Sequence, residues 1–394
     1  MKKFILYILI VCIPVLSACG DVNIYSAHSE PEDLAVIKTV GIDYENGIIE
    51  LTATTGIGAD GISAKTYSSK ADTLAEAVNG IQNGYLGDEA YFSHVQQIII
   101  GEAAAKKGIT EILDYVGRNV YMRLSTKLYL VKGGNAKKLI EETTGESISA
   151  PDMLEAISKK SEFMAAGTVF TCKDVMASFA KSGTALMYVI ETGEPLYSGS
   201  EDETLSITPV GYALFKNGFL EEYLDTGVTE GAGIIMGHTK SGMLTVEAEG
   251  HGSITLKINN IKTEIKPEFN GDDLATVTIC VKTDMNIEEA GADLNLINKS
   301  LRSKIEKAAS EEIEDTVRAA VMKMLELNTD FCGIGDRLYM KHPYKMKDEN
   351  ENWDEIFQNI TIKTEIKTEL QRTYDMENSL NYTGEISGEE WHKR

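Results

Sequence analysis

Leu16-Ser17-Ala18-Cys19 is the stretch with the most explicit chemistry in this sequence. A branched apolar residue and two small residues leave the backbone open to a peptidase, and the cysteine presents a thiol that can be alkylated with diacylglycerol. Met1-Lys2-Lys3 supplies a positive start, and residues 4–16 form an apolar run broken only by Pro14. That run suits the apolar part of a signal peptide and falls short of the ~20 residues a membrane-spanning helix needs. The expected product is a mature chain beginning at a lipidated Cys19. The alternatives are a plain secretory signal ending near Ala18 and a short N-terminal anchor.

Other reactive groups form no pattern. With Cys12 in the leader and Cys19 at the anchor, Cys172, Cys280 and Cys332 remain, an odd number without CxxC spacing. A disulfide framework and a structural zinc site are therefore not expected. Cys172 with a distant histidine could form a nucleophilic pair, but a lone cysteine is more often a small core residue. The six histidines are scattered, without an HExxH arrangement. GIGAD (56–60) and GIGDR (333–337) resemble phosphate loops, yet neither completes GxGxxG. GIGDR follows a helical stretch and reads as a helix C-cap and turn. No acid sits in an apolar run that would raise its pKa as a general acid requires. No catalytic residue, metal ligand or cofactor is expected.

Composition limits the partners. The 394 residues suffice for two or three domains. Formal charge is −23 and falls to −25 once Lys2 and Lys3 leave with the leader. Phosphate backbones would be repelled, so nucleic acid is not an expected partner. The same charge opposes an anionic membrane, so attachment falls to the lipid on Cys19.

The elements behind these residues follow from periodicity and turn chemistry. Residues 19–33 read as a tether. Two β-rich runs then flank Asn46-Gly47, a pair suited to the positive φ of a tight hairpin. TLAEAVNGIQN reads as a helix, HVQQIIIG as a buried strand, and 102–116 as one helix. LSTKLYLVKG is a further strand. NAKKLIEE is a short helix capped by Asn135, and Pro151 opens another. The acidic SGSEDE stretch reads as a linker. Beyond it come a second hairpin at Asn217-Gly218, two strands around Asn259-Asn260, and a strand carrying Val277, Ile279 and Val281 on one face. The longest helix is expected over 293–328, with Leu294, Ile297, Leu301, Ile305, Ala309, Ile313, Val317, Ala320 and Met324 forming its apolar stripe. ITIKTEIKTEL alternates as a final strand, its isoleucines and Leu370 turned to the core.

The expected fold is α+β and multi-domain, with mixed or antiparallel sheets, flanking helices, and a C-terminal antiparallel sheet packed by one long helix. Its expected parts are a signal peptide (1–18), a lipidated tether (19–33), an N-terminal α/β domain (34–197), a linker (198–204), a C-terminal domain (205–374) and a polar tail (375–394). Residues 205–250 form an optional middle domain.

Taken in order, AVIKTVGIDYENGIIELT, FSHVQQIIIGEAAAKKGITEILDYVGRN, ALFKNGFLEEYLD, ITLKINNIKTEIKPEFNG and LATVTICVKTDMNIEE resemble the Ger(x)C family, the lipoprotein C subunits of bacterial spore germinant receptors. DFCGIGDR, HPYKM, WDEIF and the last strand complete the resemblance. The chain departs in having Gly20-Asp21 where Trp-Asp is usual, Met346 near a usual tryptophan, and Tyr374 at a usual glycine. The resemblance implies a non-enzymatic subunit anchored by lipid to the outer face of the inner spore membrane. It implies assembly with a multi-pass A subunit and a transporter-like B subunit in a complex that responds to nutrients. Whether the C subunit binds the germinant stays open. Its expected partner surfaces are the exposed ends of the C-terminal sheet and the long helix. A solute-binding lipoprotein, built as two lobes around a cleft, and a wall-acting hydrolase are the alternatives.

Overall fold

A computed structural model describes residues 34–371 apart from 58–62, 85–88, 146–147, 162–166, 196–203, 249–251, 272, 291–298 and 347–352. The expected signal peptide, Cys19, the expected tether and the polar tail lie outside these residues.

Both hairpins form at their Asn-Gly pairs. β1 (Leu34–Glu45) turns into β2 (Ile48–Thr55) through Asn46 and Gly47, at φ 52° and 91°. β8 (Leu205–Lys216) turns into β9 (Phe219–Tyr223) through Asn217 and Gly218, at φ 52° and 85°. Two positive φ values in succession match the right-handed twist of the flanking strands.

Between the hairpins, strands and helices alternate. β3 (Thr66–Ala71), β4 (Glu89–Tyr91), β5 (Gln97–Ile100), β6 (Lys127–Val131) and β7 (Thr184–Pro195) complete a nine-stranded sheet. Its order is β3-β2-β1-β5-β6-β7-β8-β9, with β4 beside the start of β1. β1, β5, β6 and β7 run parallel, and the outer strands pair antiparallel. Parallel neighbours need crossovers. These are α1 (Leu74–Gly84), α2 (Glu102–Lys107), α3 (Thr110–Arg118), α4 (Ala136–Glu142), α5 (Ala150–Lys160) and α6 (Cys172–Ser182).

The central strands are buried on both faces, and side-chain alternation divides them between two cores. Ile98, Ile100, Leu128, Leu130, Met187 and Val189 pack under α1, α2, α3 and α6. Ile99, Tyr129, Val131, Tyr188 and Ile190 face α4, α5 and the second half of the molecule. On that second face Tyr129, Tyr188 and Tyr212 stand edge to face in a row, with centroids 6.1 and 6.2 Å apart.

The second half is a four-stranded sheet, β10 (Gly242–Ala248), β11 (Gly252–Asn270), β12 (Asp273–Ala290) and β13 (Thr361–Leu370) in that order. Before it comes α7 (Thr226–Met236); between β12 and β13 come α8 (Lys299–Glu326), α9 (Ile334–Lys341) and α10 (Trp353–Asn359). α8 buries Leu301, Ile305, Ala309, Ile313, Val317, Ala320, Val321 and Met324. Each large side chain of that stripe contributes about 1.5–3 kcal/mol. The surface ion pair Glu314–Arg318, at 2.6 Å, contributes only about 0.3–0.5 kcal/mol. Packing therefore fixes this helix.

The structure corrects the sequence reading in five places. Residues 102–116 form two helices, because the chain turns at Gly108 with φ 121°. Asn259-Asn260 lies inside one long strand. The register shifts between Ile258 and Asn260, and this bulge keeps Ile254, Leu256 and Ile258 on one face with Ile261 and Ile265. β13 runs parallel to β12, so the C-terminal sheet is mixed; the α8–α10 connection supplies the crossover a parallel neighbour requires. GIGDR does not cap the long helix: Gly333, at φ 66°, opens α9. Finally, the strands flanking 198–204 are antiparallel neighbours, so β8 and β9 belong to the first sheet rather than to a C-terminal or middle domain. Leu294 and Ile297, expected on the long helix, lie outside the described residues.

α7 joins the two halves. A Cβ on Gly231 would stand 2.2 Å from the Thr316 carbonyl oxygen of α8, whereas one on Gly227 would meet nothing nearer than 3.5 Å. Replacing a helical glycine with alanine ordinarily stabilises by about 1 kcal/mol. Gly231→Ala is expected to lower the midpoint of chemical denaturation, because the clash outweighs that gain. Gly227→Ala is expected to raise it or leave it unchanged.

Candidate functional site

Cys19, the one site residue the sequence offers, lies outside the described residues, as do residues 58–60 of GIGAD. Of the remaining candidates, Cys172, Cys280 and Cys332 are free and buried. Cys172 begins α6, where a helix N-terminus favours a thiolate, yet burial pushes its thiol up to about 12. Burial also raises Cys332 well above the ordinary thiol value. Neither is activated as a nucleophile at neutral pH. Among the described residues, no group of three or more His, Cys, Asp and Glu side chains could hold a metal ion.

The carboxylates are arranged more deliberately than the sequence suggests. Asp43, from the VGID stretch at the end of β1, is buried. Its two oxygens accept from the backbone N–H groups of Ala136 at 2.7 Å and Lys137 at 2.9 Å. These belong to the first turn of α4, whose leading N–H groups have no partner within the helix. Asn135 caps the same turn by accepting from Lys138 N at 2.8 Å. Gly101 makes room, since a Cβ there would lie 2.0 Å from Asp43 Oδ1. The next residue, Glu102, accepts from the Gly133 N–H and pairs with Lys106. Beside them Glu50 pairs with Lys137 at 2.8 Å and Lys70 at 3.2 Å.

This cluster sits where the parallel strands end, the place at which α/β sheets ordinarily take ligands. Here the chain's own acids occupy the helix start.

A second acid, Asp330, with its carboxyl enclosed although the residue is partly exposed, organises the C-terminal half. Asp330 Oδ2 accepts from Gly335 N at 2.8 Å and from Trp353 Nε1 at 2.9 Å, tying DFCGIGDR to α10. Arg337 Nη1 donates to the Ile235 carbonyl at 2.6 Å, fastening α9 to α7. Lys181 reaches Asp336 at 2.9 Å from α6, linking the two halves at the surface.

Burial raises the carboxyls of Asp43 and Asp330, although backbone N–H groups oppose it. For Glu50, burial acts upward, but hydrogen bonds from Lys137 and Lys70 carry it below the ordinary value. The pair from Lys106 does the same for Glu102. The sequence reading found no acid in an apolar setting, and the structure contradicts it at Asp43 and Asp330, and again at Glu230, which burial beside Glu312 raises. Asp43 has a signal, being an acid directly after apolar strand residues. Asp330 has none, because its surroundings come from segments distant in sequence.

Among the described residues the surface carries open grooves. One, of about 520 Å³, runs between α8 and β13 past Val321, Met322, Leu325 and Ile362. A second, of similar size, lies beside α10 and the start of β12. No helix among the described residues is long and apolar enough to cross a membrane.

A mixed sheet with both faces covered, its helix starts closed by internal acids and joined through α7 to a second sheet, defines a two-part α+β scaffold. Comparison with known proteins agrees. Residues 27–192 match the family described as spore germination protein N-terminal domain. Residues 210–374 match spore germination B3/GerAC like, C-terminal. Spore germination protein KC of Bacillus subtilis (strain 168) is 23% identical over 403 residues, spanning 94% of this chain and 96% of its own. The crystal structure of the GerBC protein superposes with a TM-score of 0.55 at 20% identity, covering 84% of this chain and 97% of that one. The chain belongs to the Ger(x)C family of germinant receptor C subunits. The boundary between its two family segments falls within the sheet, since β8 and β9 complete the sheet of the first.

Two outcomes test the acid cluster. Asp43→Ala strands two buried N–H groups and is expected to cost about 1–3 kcal/mol in urea denaturation. For Asp330, a folded pKa above the ordinary 3.8 means its contribution is greatest below that value and is lost as pH rises through the folded pKa. Asp330→Asn lacks this loss, so its stability relative to wild type is expected to improve from acidic to neutral pH.

Proposed function

We propose that this C subunit is held at the outer face of the inner spore membrane by diacylglycerol on Cys19. There it acts as a non-enzymatic assembly and signalling component beside the A and B membrane subunits of a nutrient receptor. The observation that carries the reading is the LSAC leader followed, on one chain, by both germination segments. The site chemistry supports it: Asp43 and Asp330 spend their bonds on the fold, and the buried Cys172 and Cys332 thiols are held protonated.

The partner surface expected from the sequence has a physical form in β13. Among the described residues this strand is the outer member of its sheet, paired with β12 alone, and the backbone groups of its last residue, Leu370, are taken by Glu306 and Arg302 of α8. The rest of its outer side, ahead of Leu370, offers ladder groups to another chain, and the α8 groove lies beside it. Lys363 and Lys367 stand exposed along the strand.

Dipicolinate release in response to nutrients is the test, in spores with redundant receptors deleted. Germination is expected to fail without the protein and with Cys19→Ala, the variant being lost from the spore membrane fraction. Normal germination in both would overturn the reading. Lys363→Glu with Lys367→Glu is expected to slow release severalfold while the protein stays in the membrane. Unchanged release would remove β13 as a partner surface.

A further inference from the structure

The edge of the first sheet at which the parallel strands begin is built unlike the rest of the surface. β1, β5 and β6 start side by side, with Gln96 N donating to the Lys38 carbonyl at 2.8 Å and Lys127 N to the Gln96 carbonyl at 2.9 Å. The loop that leads into β6 is two consecutive turns, closed by Met122 N to Asn119 O at 3.2 Å and Thr126 N to Arg123 O at 3.0 Å. Asn119 braces the first turn by accepting from Tyr121 N at 2.8 Å. Met122 is buried and plugs the loop into the core.

Its neighbours point the other way. Val120 is 88% exposed, Tyr121 56% and Leu124 44%. Val36 and Tyr91, paired across β1 and β4, add exposed apolar surface at this end. Single exposed apolar residues are ordinary, but a braced group of them with an aromatic marks an interaction surface.

Charge selects the partner. Although the chain is strongly acidic, Lys38, Lys65, Arg118, Arg123, Lys127 and Lys173 lie on the backbone segments that meet at this end of the sheet. Arg123 and Lys173 flank the loop, and Lys173 N donates to the Leu124 carbonyl at 2.9 Å. Of the carboxylates here, Asp114 pairs with Arg118 at 2.8 Å, Asp174 closes the capping box of Thr171, and Glu155, paired with Lys159, faces Lys38 and Lys127. Apolar tips with an aromatic and a ring of cations suit an anionic lipid surface, where aromatic residues sit at headgroup level and cations lie near phosphates. The tether from Cys19 also joins the body at this end, because it leads directly into Leu34.

We infer that this edge rests on the bilayer, with Val120, Tyr121 and Leu124 dipping into the interface and the surrounding lysines and arginines meeting anionic headgroups. The inference rests on the anchored reading above, and it adds an orientation. Two acyl chains suffice to hold the protein at the membrane. The loop fixes which end faces it, leaving the Asn46-Gly47 end of the sheet pointing away.

The test uses the full chain, processed and lipidated, reconstituted with vesicles of phosphatidylcholine and phosphatidylglycerol. Cys172, Cys280 and Cys332 are buried, so an NBD fluorophore can be placed selectively at Val120→Cys or, at the far end, at Ile48→Cys. The label at position 120 is expected to brighten severalfold and to be quenched by lipids carrying nitroxide on the acyl chain, while the label at 48 does neither. Arg123→Gln and Lys173→Gln are each expected to lower the inserted-to-free ratio by roughly fivefold. A chain that floats with the vesicles while both labels stay dim and unquenched overturns the inference and leaves the anchor intact. Shielding of position 120 in spore membranes but not in vesicles overturns it in favour of a protein partner. A chain that does not float at all overturns the anchor and the inference together.

Discussion

A sheet whose central strands run parallel must be covered on both faces, and most of this structure answers that demand. β5, β6 and β7 carry apolar residues at consecutive positions, so alternation sends one set of side chains to each side. One side is closed by α1, α2, α3 and α6. The other is closed in part by α4 and α5, and the remainder by α7 and the second sheet with its long helix. The second half thus seals the first. This is why β8 and β9, which lie in the second family segment or at its boundary, complete the sheet of the first.

Closing the sheet creates a subsidiary problem at the helix starts. Each crossover helix begins near buried backbone and brings N–H groups that need acceptors. Asp43 solves it for α4, Asp174 with Thr171 for α6, and Asp330 for the turn into α9. A buried carboxylate is costly. The N–H groups it accepts from would otherwise be unpaired in the same place, so the two penalties offset one another. The result is a sheet edge whose usual ligand position is filled by protein.

Among the described residues, Asp43, Asp330 and Glu50 are committed to structure, while Glu230 is half-buried beside Glu312. What remains for interaction lies on surfaces: the free side of β13 with its groove, and the braced apolar loop ahead of β6. They differ in chemistry. The first offers backbone ladder groups and suits a protein chain; the second offers apolar tips ringed by cations and suits lipid.

The sequence by itself determined what depends on neighbours along the chain. Asn46-Gly47 and Asn217-Gly218 make hairpins because their backbone preferences are local. The α8 stripe from Leu301 to Met324 is legible because a helix repeats every 3.6 residues, and Asn135 is legible as a cap because its partner is three residues away. The reading of LSAC as the end of a lipoprotein leader rests on equally local spacing. Only the tertiary structure decided the long-range pairings. The parallel alignment of β13 with β12 spans a connection of three helices, and the union of β7 with β8 crosses an acidic stretch that reads as a linker. The burial of Asp330 likewise depends on Trp353 and Gly335 arriving from elsewhere, and no pattern around residue 330 announces them. Local periodicity fixes an element and its apolar face. Which faces meet, and which charges are sealed between them, is set by how all the faces can be covered at once.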